Sequence, residues 1–122
     1  MKSYRKMFSW LERYQVAVTW EAHATKDLEE RPNSKNSFNL WGDARYELEF
    51  SSQEAQKEMS AMKLAAPKDV RLAMAKMLPK LRRNVDISEE LMELETACEC
   101  EAAENLGEVF VHERRYGQKL CS

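Results

Sequence analysis

Glycine, proline and histidine are scarce in this sequence, with three, three and two residues among 122. Because glycine and proline mark most turns, their scarcity predicts a few long secondary-structure elements. The glycines Gly42, Gly107 and Gly117 are isolated from one another, so the sequence has no glycine-rich loop to hold a phosphate. Neither His23 nor His112 lies near a recognisable nucleophile motif. We therefore expect a protein that is not an enzyme and that binds no cofactor.

Cysteine is also scarce, and its three copies suit neither a disulfide framework nor a metal site. Their number is odd, and Cys98 and Cys100 are separated by a single residue. On a helix, residues two apart point about 200° apart around the axis, so the two thiols cannot reach one ion. Because disulfide bonds are rare in the cytosol, a reducing cytoplasm is the simplest location.

A row of acidic residues with one histidine is the other candidate for metal ligands. Glu101, Glu104, Glu108 and His112 recur at three- and four-residue steps, which is how helical bundles present carboxylates to metals. The usual unit places the histidine three residues after a glutamate, whereas here it follows Glu108 by four. No second segment offers a matching pair, so we expect a solvated acidic face and no metal.

Long apolar runs and an excess of one charge are missing as well. No run approaches the roughly 20 apolar residues that span a bilayer, so we expect no membrane contact. The net charge is −2, so only a local basic patch would attract nucleic acid. Hydrophobic residues make up 43% and charged residues 33%, which suits long helices with solvated faces. The length predicts one domain over residues 1–122.

Apolar residues near the start of the chain recur at three- and four-residue steps and predict a helix over residues 4–30. The members of this stripe are Met7, Leu11, Tyr14, Val18, Ala22, Thr25 and Leu28. Pro32 ends the helix, because the residue before a proline is pushed out of the α region. Residues 31–37 are therefore predicted to form a loop.

A second helix is predicted over about residues 40–64, with Gly42 and Asp43 as a cap or a turn near its start. Its stripe consists of Trp41, Ala44, Leu48, Ala55, Met59 and Met62. Residues 14–20 and 45–51 also show short apolar alternation, which is typical of strands. The alternative fold is therefore α+β, with a short hairpin formed by these two segments.

Two further helices are predicted over residues 67–83 and 86–116, with Asn84 and Val85 as the turn between them. The stripe of the third helix consists of Val70, Met74, Met77 and Leu81. Pro79 lies inside this pattern and would remove a hydrogen bond and clash with the preceding turn. We therefore expect the third helix to end near Leu78 or to kink there.

The third and fourth helices carry opposite charge. The third contains Lys68, Arg71, Lys76, Lys80, Arg82 and Arg83 against the single acid Asp69, and residues 86–104 contain eight acids and no base. One interpretation is a self-complementary hairpin, in which the charges set the register of the two helices. The other is that the basic cluster 76–83 binds the phosphates of nucleic acid.

Aromatic residues concentrate at the other end of the chain, with nine of eleven in the first fifty residues. Trp10 and Trp20 lie partly outside the Leu11–Val18 stripe, so the first helix is apolar over a wide arc. Such an arc is either buried on two sides or exposed as a binding surface, because tryptophan and tyrosine dominate interface hot spots. Trp41 is a third candidate of the same kind.

Together, these patterns predict an all-α fold, a single small bundle of about four helices. The expected function is that of a non-enzymatic interaction protein (an adaptor, assembly subunit or inhibitor) that binds a larger protein partner. A homo-oligomer is compatible with the same surfaces. The alternative is a nucleic-acid-contacting subunit of a nucleoprotein assembly. The candidate binding residues are Trp10, Trp20, Trp41, Lys76, Lys80, Arg82 and Arg83.

Overall fold

The structure is a computed structural model that describes residues 4–62 and 65–106, with side chains up to Cys100. The described residues form four α-helices and no strand: α1 (Arg5–Glu30), α2 (Lys35–Met62), α3 (Lys68–Arg83) and α4 (Ser88–Leu106). The all-α prediction is therefore confirmed. The alternative hairpin is wrong, because residues 14–20 lie inside α1 and residues 45–51 lie inside α2. The longer three-and-four stripes decide the structure, since they place one face of each helix in the core.

The connection between α1 and α2 is shorter than the sequence predicted. Helix α2 begins at Lys35, inside the expected loop over residues 31–37. The Ser34 hydroxyl accepts a hydrogen bond from the N–H of Ser37 at 3.2 Å, which caps the first turn of α2. Gly42 and Asp43 are consequently interior residues of α2 rather than a cap or a turn.

Helices α1 and α2 pack side by side and antiparallel along their length. Three ion pairs between them show the register. As the chain position rises along α1, the position of the partner falls along α2. The three pairs are Lys6–Glu58 at 3.5 Å, Arg13–Glu47 at 2.6 Å and Glu21–Arg45 at 3.2 Å. The buried residues of α1 and α2 nearest the connecting turn are small (Ser37, Ala24 and Ala44), so two helices suffice to bury them.

Helices α3 and α4 form a second hairpin. Asn84 closes it in the left-handed conformation, with φ 58° and ψ 42°, which asparagine tolerates better than most residues. Pro79 does not end α3, which continues to Arg83. Pro79 and Ala75 are both exposed, so water is available to the Ala75 carbonyl that the proline leaves without a donor. Helix α4 begins at Ser88, just inside the predicted range, and residues 107–116 of the predicted helix lie outside the described residues.

The core lies between the second hairpin and one side of the first. It contains Met7, Leu11, Tyr14 and Ala17 of α1 and Leu48, Ala55 and Met59 of α2, together with Val70, Met74, Met77 and Leu81 of α3, Ile87 before α4, and Leu94 and Cys98 of α4. This cluster ends at Ala17 on α1 and at Leu48 on α2. The part of the α1–α2 hairpin nearest its connecting turn therefore extends past the core. None of the described helices is long and apolar enough to cross a membrane.

Three polar side chains of the first hairpin hold the α3–α4 turn in place. The Tyr14 hydroxyl donates to the Val85 carbonyl oxygen at 2.5 Å, and the Ser52 hydroxyl donates to the Leu81 carbonyl oxygen at 2.7 Å. The Gln15 amide bonds twice, donating to an Asp86 carboxylate oxygen and accepting from the N–H of Ile87. These contacts fix which side of α1 and α2 is covered and which side remains open.

Candidate interaction surfaces

The opposite charges of α3 and α4 face each other at two positions. Lys76 lies 3.3 Å from Glu93, and Lys80 lies 2.7 Å from Glu90. The hydrogen bond with Glu90 raises the pKa of Lys80, and the same bond lowers the pKa of Glu90. Two of the four basic residues proposed for nucleic acid are therefore already occupied by the acidic helix, as the hairpin interpretation predicted.

Arg82 and Arg83 behave differently from these two lysines. Both are exposed at the end of α3, and neither forms an ion pair with any residue that the structure describes. Lys68 and Arg71 at the start of α3 share both properties. The basic charge that remains available to a ligand is thus on the solvent side of α3, not on the side that faces α4.

The three candidate tryptophans do not form one site. Trp20 is exposed, with 52% of its surface accessible, whereas Trp10 and Trp41 are half-buried. Trp41 lies about 20° around α2 from Ser52, on the side that carries α3, because successive helical residues turn by about 100°. It packs against the exposed ring of Phe38, with the ring centroids 6.1 Å apart, near the α1–α2 turn where the core has ended.

The opposite side of the first hairpin carries a larger apolar surface. Val16 lies about 160° around α1 from Tyr14, and Phe50 lies about 160° around α2 from Ser52, so both point away from the α3–α4 hairpin. Trp20 follows Val16 by four residues, and Tyr46 precedes Phe50 by four, which places each on the same side. We call this surface the aromatic face; it consists of Val16, Trp20, Tyr46 and Phe50, together with Trp10, which joins it through contact with Phe50.

The rings of the aromatic face are held by contacts with one another. Phe50 stacks on Tyr46 with centroids 6.2 Å apart and planes inclined by 6°, and its other neighbour, Trp10, meets it edge-on at 5.4 Å. The guanidinium of Arg13 lies 4.5 Å from the centre of the Trp10 ring and also pairs with Glu47. Such contacts restrict the rotamers of these side chains before any partner arrives, which lowers the entropy cost of binding.

A shallow groove runs beside these rings on the same side of α1. Its volume is ≈ 370 Å³, and it is lined by Ser9, Glu12, Arg13, Val16, Trp20 and Glu47. Val16 and Trp20 are members of the aromatic face, and Arg13 contacts the Trp10 ring. The groove therefore belongs to the same surface.

Val16, Tyr46 and Phe50 were not predicted as binding residues. The signal was present: Tyr46 and Phe50 are four residues apart but lie off the buried stripe of α2, so a second apolar face is encoded there. Their alternation supported only the alternative hairpin over residues 45–51, and a strand does not place them on a helix surface. Ala22 and Thr25 were expected to share the buried stripe of α1, whereas both are exposed because α3 and α4 do not reach them.

The cysteines and acids offer no metal site in the part of the chain that the structure describes, where no group of three ligand residues comes together. Cys98 is buried, as its place on the α4 stripe predicted. Cys100 is disulfide-bonded, which the number and spacing of the cysteines did not predict. Glu108 and His112 of the acidic row lie outside the described residues.

Comparisons with protein-family models, with curated proteins and with solved structures found no match to this chain.

Proposed function

We propose that this chain is a non-enzymatic interaction protein that binds a larger protein partner through the α1–α2 hairpin. One observation carries the proposal. Of the nine large hydrophobic side chains exposed among the described residues, six lie on α1 and α2: Val16, Trp20, Phe38, Leu40, Tyr46 and Phe50. Exposed apolar clusters of this kind mark interaction sites on soluble proteins, and aromatic side chains supply much of the binding energy at such sites.

The hairpin also has a suitable shape for this role. Its two helices continue past the core near Ala17 and Leu48, so the segment around Phe38 and Trp41 projects with no other described element against it. The α3–α4 hairpin acts as a support, because Tyr14, Gln15 and Ser52 fix it against the first hairpin. The α3–α4 hairpin thus stabilises the molecule, and the α1–α2 hairpin binds the partner.

The test is recovery of a partner from extracts of the source organism, with the tagged full chain as bait and mass spectrometry as readout. We expect Phe38→Glu to lose a protein that the unmodified chain recovers. Leu72→Glu and Met92→Glu are matched controls, since they place the same charge on exposed apolar residues of α3 and α4. Recovery of the same proteins by Phe38→Glu and by both controls would contradict the proposal.

A second candidate function, contact with nucleic acid, is favoured by Arg82 and Arg83, which are exposed and form no ion pair with a described residue. It is weakened by Lys76 and Lys80, which the acidic helix already pairs. A titration with single-stranded and duplex probes at about 50 and 200 mM salt tests it, because phosphate contacts weaken steeply over that range. The double variant Arg82→Glu/Arg83→Glu should abolish binding, whereas Arg5→Glu on α1 should not. The absence of binding at the lower salt concentration would end this alternative.

A further inference from the structure

We infer that the aromatic face binds the same face of a second copy of this chain, so that two α1–α2 hairpins form a four-helix interface. The inference rests on the proposed function, because both assign binding to the apolar surface of this hairpin. It goes further in naming the occupant of one side. The side that carries Phe38 and Trp41 remains available for the larger partner.

The charge of the aromatic face permits self-association. In a two-fold dimer the same patch meets itself, so a face of one sign would repel its own copy. Arg13 on this side is paired with Glu47 at 2.6 Å, and Lys57 is paired with Glu54 at 2.9 Å. Glu12, which lines the groove, is exposed and has no ion pair among the described residues, so this side carries both signs of charge. The outer side of α3 has the opposite character, because Lys68, Arg71, Arg82 and Arg83 form no ion pair among the described residues. That side would repel a second copy of itself.

The size of the face also suits a dimer. The 26 residues of α1 extend about 39 Å at 1.5 Å per residue, and two packed helices are about 20 Å wide. The whole side of the hairpin that carries the aromatic face therefore measures about 800 Å², which is close to what each partner contributes to a standard interface. The segment from Trp10 to Trp20 occupies the central region of this length. On the same side of α1 the residues beyond it are polar, Arg5 and Ser9 at one end and His23 and Asp27 at the other. An apolar centre with a polar rim is the usual anatomy of an interface.

The register of the hairpin predicts which residues meet. A two-fold axis parallel to the helices places α2 of one copy over α1 of the other, so that neighbouring helices are antiparallel as in other four-helix bundles. This rotation leaves the position of each residue along the helix axis unchanged, so residues at the same level in the two copies meet. The Arg13–Glu47 pair puts Tyr46 at the level of Arg13 to Val16. Tyr46, which is 71% exposed, therefore enters the groove of the second copy beside Val16 and Trp20.

Sedimentation equilibrium of the full chain over a range of concentrations measures the association directly. We expect a concentration-dependent dimer that weakens roughly tenfold or more with Tyr46→Glu or with Val16→Lys, as for other hot-spot residues. Leu72→Glu and Met92→Glu should leave the dimer unchanged, and circular dichroism should show the same helix content in every variant. A monomer at all concentrations, or a dimer that neither face variant weakens, would overturn the inference.

A mixing experiment tests the geometry. The variants Val16→Lys and Tyr46→Glu are combined in equal amounts, so that mixed dimers can form. One contact of the mixed dimer then joins the introduced base to the introduced acid, and the other retains the original valine and tyrosine. We expect the mixture to associate more strongly than either variant does alone. Association no stronger than that of the separate variants would overturn the inferred register and with it the inference.

The outcomes for dimer and larger partner are separable. A monomer that still recovers a protein dependent on Phe38 would overturn the second copy as occupant and leave the proposed function intact. A dimer disrupted by Tyr46→Glu, with no partner recovered by any bait, would support the inference and contradict the proposed function.

Discussion

The Tyr14 hydroxyl in the middle of α1 donates a hydrogen bond to the Val85 carbonyl oxygen in the α3–α4 turn, at 2.5 Å and across 71 residues of sequence. The Tyr14 ring is fully buried. Burial raises the pKa of this phenol above its ordinary value, and the nearby Asp86 carboxylate adds to the increase, so the group remains a neutral donor. This contact anchors the α3–α4 hairpin on one side of α1 and leaves the other side, with Val16 and Trp20, open to solvent.

Removal of this donor should destabilise the protein without changing its fold. We expect Tyr14→Phe to lower the free energy of unfolding by about 1–2 kcal/mol, because the ring still fills the core while the Val85 carbonyl loses its partner. Urea unfolding followed by circular dichroism measures the change. Tyr46→Phe is the control, since Tyr46 is exposed on the aromatic face and should change stability by less than about 0.5 kcal/mol. Equal effects of the two substitutions would contradict the anchoring role of Tyr14.

Two adjacent serines in α2 provide a matched test of the same anchor. The Ser52 hydroxyl donates to the Leu81 carbonyl of α3 at 2.7 Å, whereas the Ser51 hydroxyl donates to the Glu47 carbonyl of its own helix at 2.6 Å. Both residues are buried. We expect Ser52→Ala to cost about 1 kcal/mol and Ser51→Ala to be nearly neutral, because alanine has the higher helix propensity. Urea midpoints of the two variants give the comparison, and a larger loss for Ser51→Ala would contradict it.

The local patterns in the sequence predicted the helices well, because a three-and-four stripe encodes both a helix and its buried face. The bounds of α1 follow from Met7, Leu11 and Tyr14 in this way. The start of α2 was missed because a single hydroxyl, that of Ser34, caps a helix whose first residues are polar. Polar residues after a proline are typical of a loop, and only the cap distinguishes them from the first turn of a helix.

Contacts between residues far apart in the chain could not be predicted from the sequence. Nothing in the pattern around Gln15 indicates that its amide bonds both Asp86 and Ile87. Without those contacts, the sequence leaves open whether the apolar residues outside the stripe, such as Trp20, are buried on a second side or exposed. Trp20 was therefore predictable as a candidate, but its exposure was not. The pairing of α3 with α4 was predictable, since opposite charges on adjacent helices form a local signal.

The α3–α4 turn should also make the stability of the protein depend on pH. The hydrogen bond from the Ser88 hydroxyl, and then that from Gln15, lowers the pKa of Asp86 below its ordinary value. A carboxylate with a lower pKa in the folded chain contributes stability that is complete above its unfolded pKa of about 4 and is lost as the pH falls through its folded value. We expect Asp86→Asn to reduce stability at pH 7 and to flatten the decrease between about pH 5 and pH 2.

Urea unfolding at several pH values provides the measurement for Asp86. Asp43→Asn, which replaces an exposed aspartate of α2, is the control and should retain the acid dependence of the unmodified protein. An unchanged pH profile in Asp86→Asn would show that other carboxylates carry the acid sensitivity.

The ion pair between Lys80 and Glu90 should set the register of α3 against α4. One Glu90 carboxylate oxygen lies 2.7 Å from the lysine nitrogen, and the other is buried without a hydrogen-bond partner among the described residues. Lys80→Glu should therefore destabilise the protein, because it places two acids together at a partly buried position. The exchange Lys80→Glu/Glu90→Lys should recover most of the loss. Urea midpoints of the single and double variants measure the coupling, and a double variant no more stable than the single one would contradict it.

Pro79 lowers the stability of helix α3, so its replacement by alanine should make the protein more stable. Proline in a helix interior costs about 3 kcal/mol relative to alanine, because it removes a hydrogen bond and crowds the preceding turn. Helix α3 nevertheless continues from Lys68 to Arg83. Exposure of Pro79 leaves room for relief of the clash, so we expect Pro79→Ala to raise the free energy of unfolding by about 1–3 kcal/mol, measured by urea unfolding.

The opposite result at Pro79 would be informative about the anchor. The carbonyls of Lys80 and Leu81, immediately after the proline, face Tyr14 and Ser52 at 3.3 Å and 2.7 Å. If Pro79→Ala lowered stability, the direction that the proline gives to the last turn of α3 would be required for these bonds. Combining Pro79→Ala with Ser52→Ala separates the two cases. Additive effects mean that the proline acts only within its helix, whereas a smaller loss from Ser52→Ala in the Pro79→Ala background means that it positions the Leu81 carbonyl.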